Sequence, residues 1–281
     1  MPRIALIATL VVATLAACSS PGPHSRVQPA ADRSQPTPPA PVAQVPAPVV
    51  RDASDPSREL LDELGRLAPE ADRGMLALAI EARACAVRTG TRAGDKLAVI
   101  DYSRPSTQPR LWVFDLERRT LLYREHVAHG RGSGENLARA FSNRDGSHQT
   151  SLGLFTTAET YVGGNGYSMR MDGLERGVND AARDRLIVMH GAPYVDPVQA
   201  QRQGRLGRSY GCPAVRPEVA RQIIDTLKHG QMLFAYYPDD AWLSGSRHFG
   251  CGGRNAREIL AAARDVSPGG GGASSTAAAA H

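Results

Sequence analysis

The sequence predicts a mainly β domain, a sandwich or barrel with helices at its periphery. Two observations carry that expectation. From Lys96 onward, short apolar runs recur at close spacing, separated by Pro, Gly, Arg and Asp turns, which is the pattern of successive strands and not of long helices. Within that series only one strongly periodic helix is evident, starting at Pro217, with Val219, Ile223, Ile224 and Leu227 on one face.

The chain has 281 residues, and its organisation is readable from the N-terminus. Residues 1–18 look like an export signal. Arg3 precedes an apolar run from Ile4 to Leu15, too short for a stable bilayer span but long enough for a signal-peptide core. The run ends in Leu15-Ala16-Ala17-Cys18, which resembles the bacterial lipobox, in which the cysteine is lipidated and becomes the new N-terminus. Cleavage as an ordinary signal peptide would leave Cys18 incidental. Lipidation is favoured because Cys18 follows Leu-Ala-Ala directly and Ser19, Ser20 and prolines come next. By the sorting rules that this resemblance brings, Ser19 points to the outer membrane, so the expected location is the periplasm, with membrane attachment through the lipid alone.

Residues 19–52 form a Pro/Ala-rich linker. Nine prolines fall between Pro21 and Pro48, a composition that cannot bury a core and favours extended polyproline II. At about 3.1 Å per residue, such a segment reaches on the order of 100 Å.

Residues 53–95 read as a helical N-terminal part. Asp55-Pro56 suits an N-cap and first helical residue, with Leu60, Leu64 and Leu67 on one face. A second helix carries Leu76, Ile80, Ala84 and Val87 and closes at Gly90. Both are expected on the outside of the domain. Residues 96–252 hold the strand series: 97–100, 111–114, 121–123 with Val127, 151–155, 167–171, 186–189 and, after the helix at Pro217, 232–236. That helix is expected to carry Lys228 and His229 in its last turn. Residues 253–281 add a short Arg/Ala helix, 256–264, and a low-complexity tail.

The formal net charge is +5, but the arginines are scattered and no basic block alternates with aromatics. Nucleic acid is therefore not an expected partner. With Cys18 set aside, Cys85, Cys212 and Cys251 remain. In an oxidising compartment two of three can pair. Cys85 with Cys251 is the preferred pair, since both lie outside the strand series and Cys212 has a chemical use; all three remaining reduced is the alternative.

That use is read from the stretch between Met189 and Arg216. His190 directly follows the apolar run Leu186 to Met189, and Cys212 lies in the turn Gly204-Arg-Leu-Gly-Arg-Ser-Tyr-Gly-Cys212, 22 positions on. A thiol becomes nucleophilic when a neighbouring base or cation removes or weakens its proton, and Arg205, Arg208 and His190 are the candidates. Gly211 allows the backbone amides of the turn to converge on a developing oxyanion. A histidine after an apolar strand is commonly a satisfied structural residue, so the residues alone leave that role open. A zinc site would use the same side chains, but no HxxxH or CxxC pattern occurs and His126 and His129 are not spaced to face one way on a strand. No metal is expected.

Six blocks in order resemble the L,D-transpeptidase catalytic domain, in its murein L,D-transpeptidase branch: PSTQPRLWVFDL (105–116), VAHGRGSG (127–134), TSLGLF (150–155), MDGLERGVNDAA (171–182), VMHGAPYV (188–195) and GRLGRSYGCPAV (204–215). The resemblance implies a β-sandwich-like catalytic fold, Cys212 as nucleophile and His190 as general base. It makes Ser209 to Cys212 the oxyanion turn, and Arg208 either a cation for substrate or thiolate or a brace for the turn. Many relatives carry a second histidine where this chain has Tyr210, and Pro213-Ala214 follows the cysteine in place of the usual Arg or Asn. Tyr210 is thus expected either to lend a hydroxyl or to wall the pocket. The implied substrate is a peptidoglycan stem tetrapeptide, cleaved after its third residue, diaminopimelate. The acyl group then passes to an amine, or to water in a carboxypeptidase or endopeptidase variant. No cofactor is implied. A non-catalytic, lipid-anchored cell-wall-binding protein is the alternative from a different class.

Overall fold

The computed structural model describes residues 56–264. The expected leader with Cys18, the Pro-rich linker and the tail lie outside the described residues.

Eight strands form a single sheet in the order β3-β2-β1-β8-β4-β5-β6-β7. They are β1 (Lys96–Asp101), β2 (Leu111–Asp115), β3 (Thr120–Glu125), β4 (Gly153–Gly163), β5 (Gly166–Gly173), β6 (Val188–Gly191), β7 (Ala214–Val215) and β8 (Met232–Tyr236). The helices are α1 (Pro56–Leu67), α2 (Arg73–Arg88), α3 (Pro197–Gln203), α4 (Pro217–Leu227), α5 (Asp240–Gly245) and α6 (Ala256–Arg264). The sheet is nearly closed. Just beyond β3, Ala128 bridges Ala214 of β7, its amide donating to the Ala214 carbonyl at 2.8 Å. The two edge strands of the sheet thus meet at one seam, which leaves little edge for pairing with another chain.

Sequence and burial agree on why the middle of the sheet is apolar. Every residue of β2 and β8, and all but Lys96 of β1, is buried, as expected for strands covered on both faces. Helix α2 packs on β1, β4 and β8, and α4 on β1, β5 and β6. The β3 strand alternates exposed and half-buried positions, the signature of a strand facing solvent on one side.

Several elements differ from expectation. Helix α2 is not peripheral: Met75, Leu76, Leu78, Ala79 and Ala82 are fully buried, because α1 covers one side of it and α6 another. The Pro217 helix stops at Leu227. Lys228 turns extended as its cap, and His229 takes a left-handed φ of 62°, since the chain must reverse here into β8. Strand β4 runs to Gly163, well beyond the expected 155, and pairs with β5 as a long hairpin. The run at Leu186 is not yet strand. Leu186 has a φ of 55° and β6 begins at Val188. Helices α3 and α5 and strand β7, of 7, 6 and 2 residues, are too short to leave a periodic signal.

Cys85 in α2 and Cys251 beyond α5 are joined as a disulfide, with their Cα atoms 5.4 Å apart. Among the described residues Cys212 is the free cysteine.

Candidate active site at the sheet seam

Cys212 lies immediately before β7, at the place where the sheet closes. Two layers hold its turn. On one side the segment after β3 pairs with it: the Ser209 amide donates to the His129 carbonyl at 3.0 Å and the Arg131 amide to the Ser209 carbonyl at 2.8 Å. On the other, the Thr150 hydroxyl donates to the Gly211 carbonyl at 3.1 Å while accepting from the Gly130 amide at 2.9 Å. Gly211 has a φ of 127°, and a Cβ there would lie 2.8 Å from Ile187 Cδ1. Any other residue would be strained and crowded. Gly130 faces it, so that a side chain at 130 would strike the Gly211 backbone at 2.8 Å.

Ser209 braces this turn from within. Its hydroxyl donates to the Cys212 carbonyl at 2.7 Å and accepts from the Gly211 amide at 3.1 Å. The Gly211 amide is therefore engaged inside the turn and does not converge on a common point, contrary to expectation. The amides that do reach the sulfur are those of Val188, 3.5 Å away, and of Cys212 itself. In the other direction the thiol faces the Leu186 carbonyl at 3.6 Å. The left-handed backbone of Leu186, just before β6, allows that carbonyl to turn toward the sulfur.

Cys212 is only 8 % exposed, and burial pushes its thiol up from the ordinary value, with the Val188 amide and the charge of Arg185 pulling the other way. The expected activation of the thiol by Arg205 and Arg208 is not what the structure contains. Both guanidinium groups turn to Glu135, at 2.8 Å and 2.6 Å, and Arg208 also donates to the Gly134 carbonyl at 3.0 Å. Arg208 is a brace for the 131–135 loop. The cation that acts on the thiol is Arg185, whose guanidinium ties together the Ser142 and Gln149 carbonyls and the Ser151 and Ser147 hydroxyls at 2.6–3.2 Å. The sequence does not mark it. Its position ahead of the β6 run was visible, but its partners lie some 40 residues away and assemble only in the fold.

His190 sits on β6 opposite Ala214 of β7, two residues past Cys212. It is 3 % exposed. Its Nδ1 lies 3.0 Å from the Gly191 carbonyl, so Nδ1 carries the proton and Nε2 keeps its lone pair. Burial lowers its pKa, partly offset by that bond. The imidazole is thus held neutral, with its lone pair on Nε2. Among the described residues no hydrogen bond joins His190 to the thiol; Cys212 lies two residues before the β7 position that pairs with His190.

Tyr210 does not wall a pocket over the thiol. It is 64 % exposed and lies against Arg131, whose guanidinium is 4.4 Å from the ring centre, and His148, 4.7 Å between rings. His126 and His129 take different partners. His126 Nε2 meets the Thr107 carbonyl at 3.2 Å, while His129 Nδ1 accepts from the buried guanidinium of Arg110 at 2.7 Å. Arg110 also grips the Val127 carbonyl through Nε at 3.0 Å, so this buried pair fixes the very segment on which the Cys212 turn is laid.

The arrangement is that of a thiol at a glycine turn, flanked by backbone amides, with a neutral imidazole one strand over. The sequence profile of the L,D-transpeptidase catalytic domain family matches residues 67–236. That is more than half of the chain, and the protein belongs to this family. Solved structures similar to it include an L,D-transpeptidase from Mycobacterium smegmatis (15% identity, covering 51% of this chain and 59% of that one, TM-score 0.32). L,D-transpeptidase 3 from Mycobacterium tuberculosis is similar at 12% identity, covering 51% and 61%, with a TM-score of 0.32. An L,D-transpeptidase from Stackebrandtia nassauensis is similar at 13% identity, covering 66% and 78%, with a TM-score of 0.32. The chain thus spans about three-fifths of the length of the first two. No curated protein matches it.

Proposed function

We propose that this protein is a cysteine-dependent L,D-transpeptidase of the cell wall. The Cys212 thiol attacks the carbonyl of diaminopimelate, the third residue of a peptidoglycan stem tetrapeptide. His190 Nε2 takes the thiol proton and returns it to the departing D-alanine amine. The tetrahedral oxyanion is stabilised by the Cys212 amide, with Val188 N–H holding the sulfur. An amine then attacks the thioester, giving a 3→3 cross-link or a protein attachment, or water releases the free tripeptide. The chain acts in the periplasm, tethered through a lipidated Cys18 to the outer membrane, and needs no cofactor.

One observation carries this reading: the free cysteine lies in a turn built for it, beside a histidine fixed in its basic tautomer. One observation favours a second reading, a wall-binding protein without activity: the thiol is buried, and burial pushes it away from the reactive thiolate. Intact-protein mass after incubation with a carbapenem separates them. The proposal expects a one-to-one adduct on the parent chain and none on Cys212→Ala. An unmodified parent protein, with Cys212 shown to be reduced, would favour the binding role. Incubation of the same protein with purified tetrapeptide then identifies the acceptor, through cross-linked dimer or free tripeptide.

A further inference from the structure

Beside the Cys212 turn, on its exposed face, three side chains form a cluster that the proposed chemistry does not use. Arg131 lies over the ring of Tyr210 at 4.4 Å, His148 packs on the same ring at 4.7 Å, and Arg131 Nη2 and Nε lie 3.1 Å and 3.3 Å from His148 Nδ1. The contact fixes the histidine. With Nδ1 accepting from a guanidinium, its proton sits on Nε2. The cluster also requires an uncommon backbone, since His148 has a φ of 53°. Such a conformation in a residue other than glycine costs about 1 kcal/mol or more and concentrates at functional sites.

The only acceptor nitrogen of the cluster, His148 Nδ1, is already taken by Arg131, and the groups that remain can donate. Arg131 Nη1, His148 Nε2–H and the Tyr210 hydroxyl have no hydrogen-bond partner among the described residues. The neighbouring arginines, 205 and 208, share Glu135, whereas Arg131 has no carboxylate partner among the described residues. An exposed guanidinium with no carboxylate beside it, flanked by two further donors, suits an anionic ligand. The Arg131 amide is bonded to the Ser209 carbonyl and Tyr210 is two residues before Cys212, so the cluster is built on the same turn as the thiol.

We infer that Arg131, Tyr210 and His148 form a subsite for the diaminopimelate or the D-alanine carboxylate of the donor peptide. The inference rests on the proposed substrate class, a stem peptide whose diaminopimelate and terminal D-alanine both carry carboxylates. A planar guanidinium whose face is packed on an aromatic ring presents its remaining edge to a carboxylate with little loss of freedom. This chain has a tyrosine where relatives place a histidine, and the ring makes the platform on which that arginine lies. The subsite orients the peptide and takes no part in bond making, so its loss raises KM for the peptide.

The test measures tetrapeptide binding to the full chain in the Cys212→Ala background, by calorimetry, with the free acid and with peptides amidated at D-alanine or at diaminopimelate. Release of D-alanine by the parent protein is followed in parallel. Arg131→Gln is expected to weaken the free acid about tenfold and one of the amidated peptides not at all, with Arg131→Lys recovering part of the loss. The peptide that is insensitive to Arg131 identifies the carboxylate that is bound. Equal loss for all three peptides, no loss, or no binding to the parent site would overturn the subsite. Arg131-dependent binding without D-alanine release would instead overturn the transpeptidase reading and leave the subsite standing. D-alanine release without acid selectivity would do the reverse.

Discussion

At the scale of single residues, the chemistry depends on protons held in unusual places. Burial raises the Cys212 thiol and lowers the His190 imidazole, so near neutral pH the site contains a thiol and a neutral base. In the proposed mechanism the rate of carbapenem acylation then follows the deprotonation of His190, with its acid limb below the ordinary imidazole value of 6.5. The rate stays level to about pH 9. In His190→Ala the thiolate must form unaided, and log rate should climb with unit slope over the same range. An acid limb above pH 7 in the parent protein would show that His190 is not held neutral by burial and reject this account. His129 gives a second test, of stability. Burial and the adjoining Arg110 lower its pKa to about 3, against an ordinary 6.5, so the unfolded chain binds the extra proton first as pH falls. The stability that neutral His129 provides is complete above pH 6.5 and is lost between there and about pH 3. Over that window His129→Gln should flatten the denaturant-derived free energy against pH by up to about 1.4 kcal/mol per unit relative to the parent. Parallel curves would remove His129 as the cause. Of these groups, the sequence marks Cys212 and His190 by their motif neighbours. Arg185 and Arg110 are not marked, because their roles depend on carbonyls brought from distant segments, and an isolated arginine among many carries no such signal.

At the scale of elements, long runs were legible and short ones were not. The alternation in β3 and the apolar runs of β1, β2 and β8 follow directly from which strands are covered on one or both faces. Strand β7 escapes notice because two residues between Pro213 and Arg216 carry no period, yet it closes the sheet and anchors the turn. The burial of α2 was likewise hidden. Its exposed-looking face is covered by α6, from the far end of the chain. The disulfide fastens that covering: Cys85 in α2 and Cys251 are 166 positions apart, and a crosslink over so long a loop stabilises by about 2–4 kcal/mol, mainly by restricting the unfolded chain. Cys85→Ser and Cys251→Ser are expected each to lose that amount in chemical denaturation and to increase amide exchange first in α6. Because Cys212 touches neither helix, its carbapenem adduct should still form. Exchange that rises uniformly over the sheet would mean that the crosslink holds the whole domain and not this layer.

At the scale of the whole molecule, the part that matches the family ends at residue 236, but the folded unit does not. Glu175 is a buried carboxylate on the loop that leads to Arg185 and β6. It accepts from the Leu154 amide at 2.8 Å, and from Trp242 Nε1 at 2.9 Å and the Ser246 hydroxyl at 2.6 Å. Two of those donors lie past residue 236. Asn179 continues the network, its side-chain NH2 reaching the Leu152 and Leu154 carbonyls at 2.9 Å and 3.0 Å and its Oδ1 accepting from the Glu175 amide at 2.8 Å. The C-terminal layer is therefore tied through one carboxylate to the start of β4 and to the loop whose end presents the Leu186 carbonyl and Val188 amide to the thiol. A chain ending after Tyr236 would strip Glu175 of two donors, expose the α6-facing side of α2 and remove Trp242 and Phe249 from their contacts with Phe234. Leaving a buried carboxylate under-satisfied costs several kcal/mol, comparable with the whole stability of a domain. We expect the truncated chain to fail to give a cooperative thermal transition. Glu175→Gln in the intact chain should fold with a lowered Tm and a slower Cys212 acylation, since it keeps the packing and weakens only the charged acceptors. Normal acylation in a truncated chain that melts cooperatively would show that the seam and its thiol are organised by residues up to 236 alone, and that the C-terminal layer is an addition and not a support.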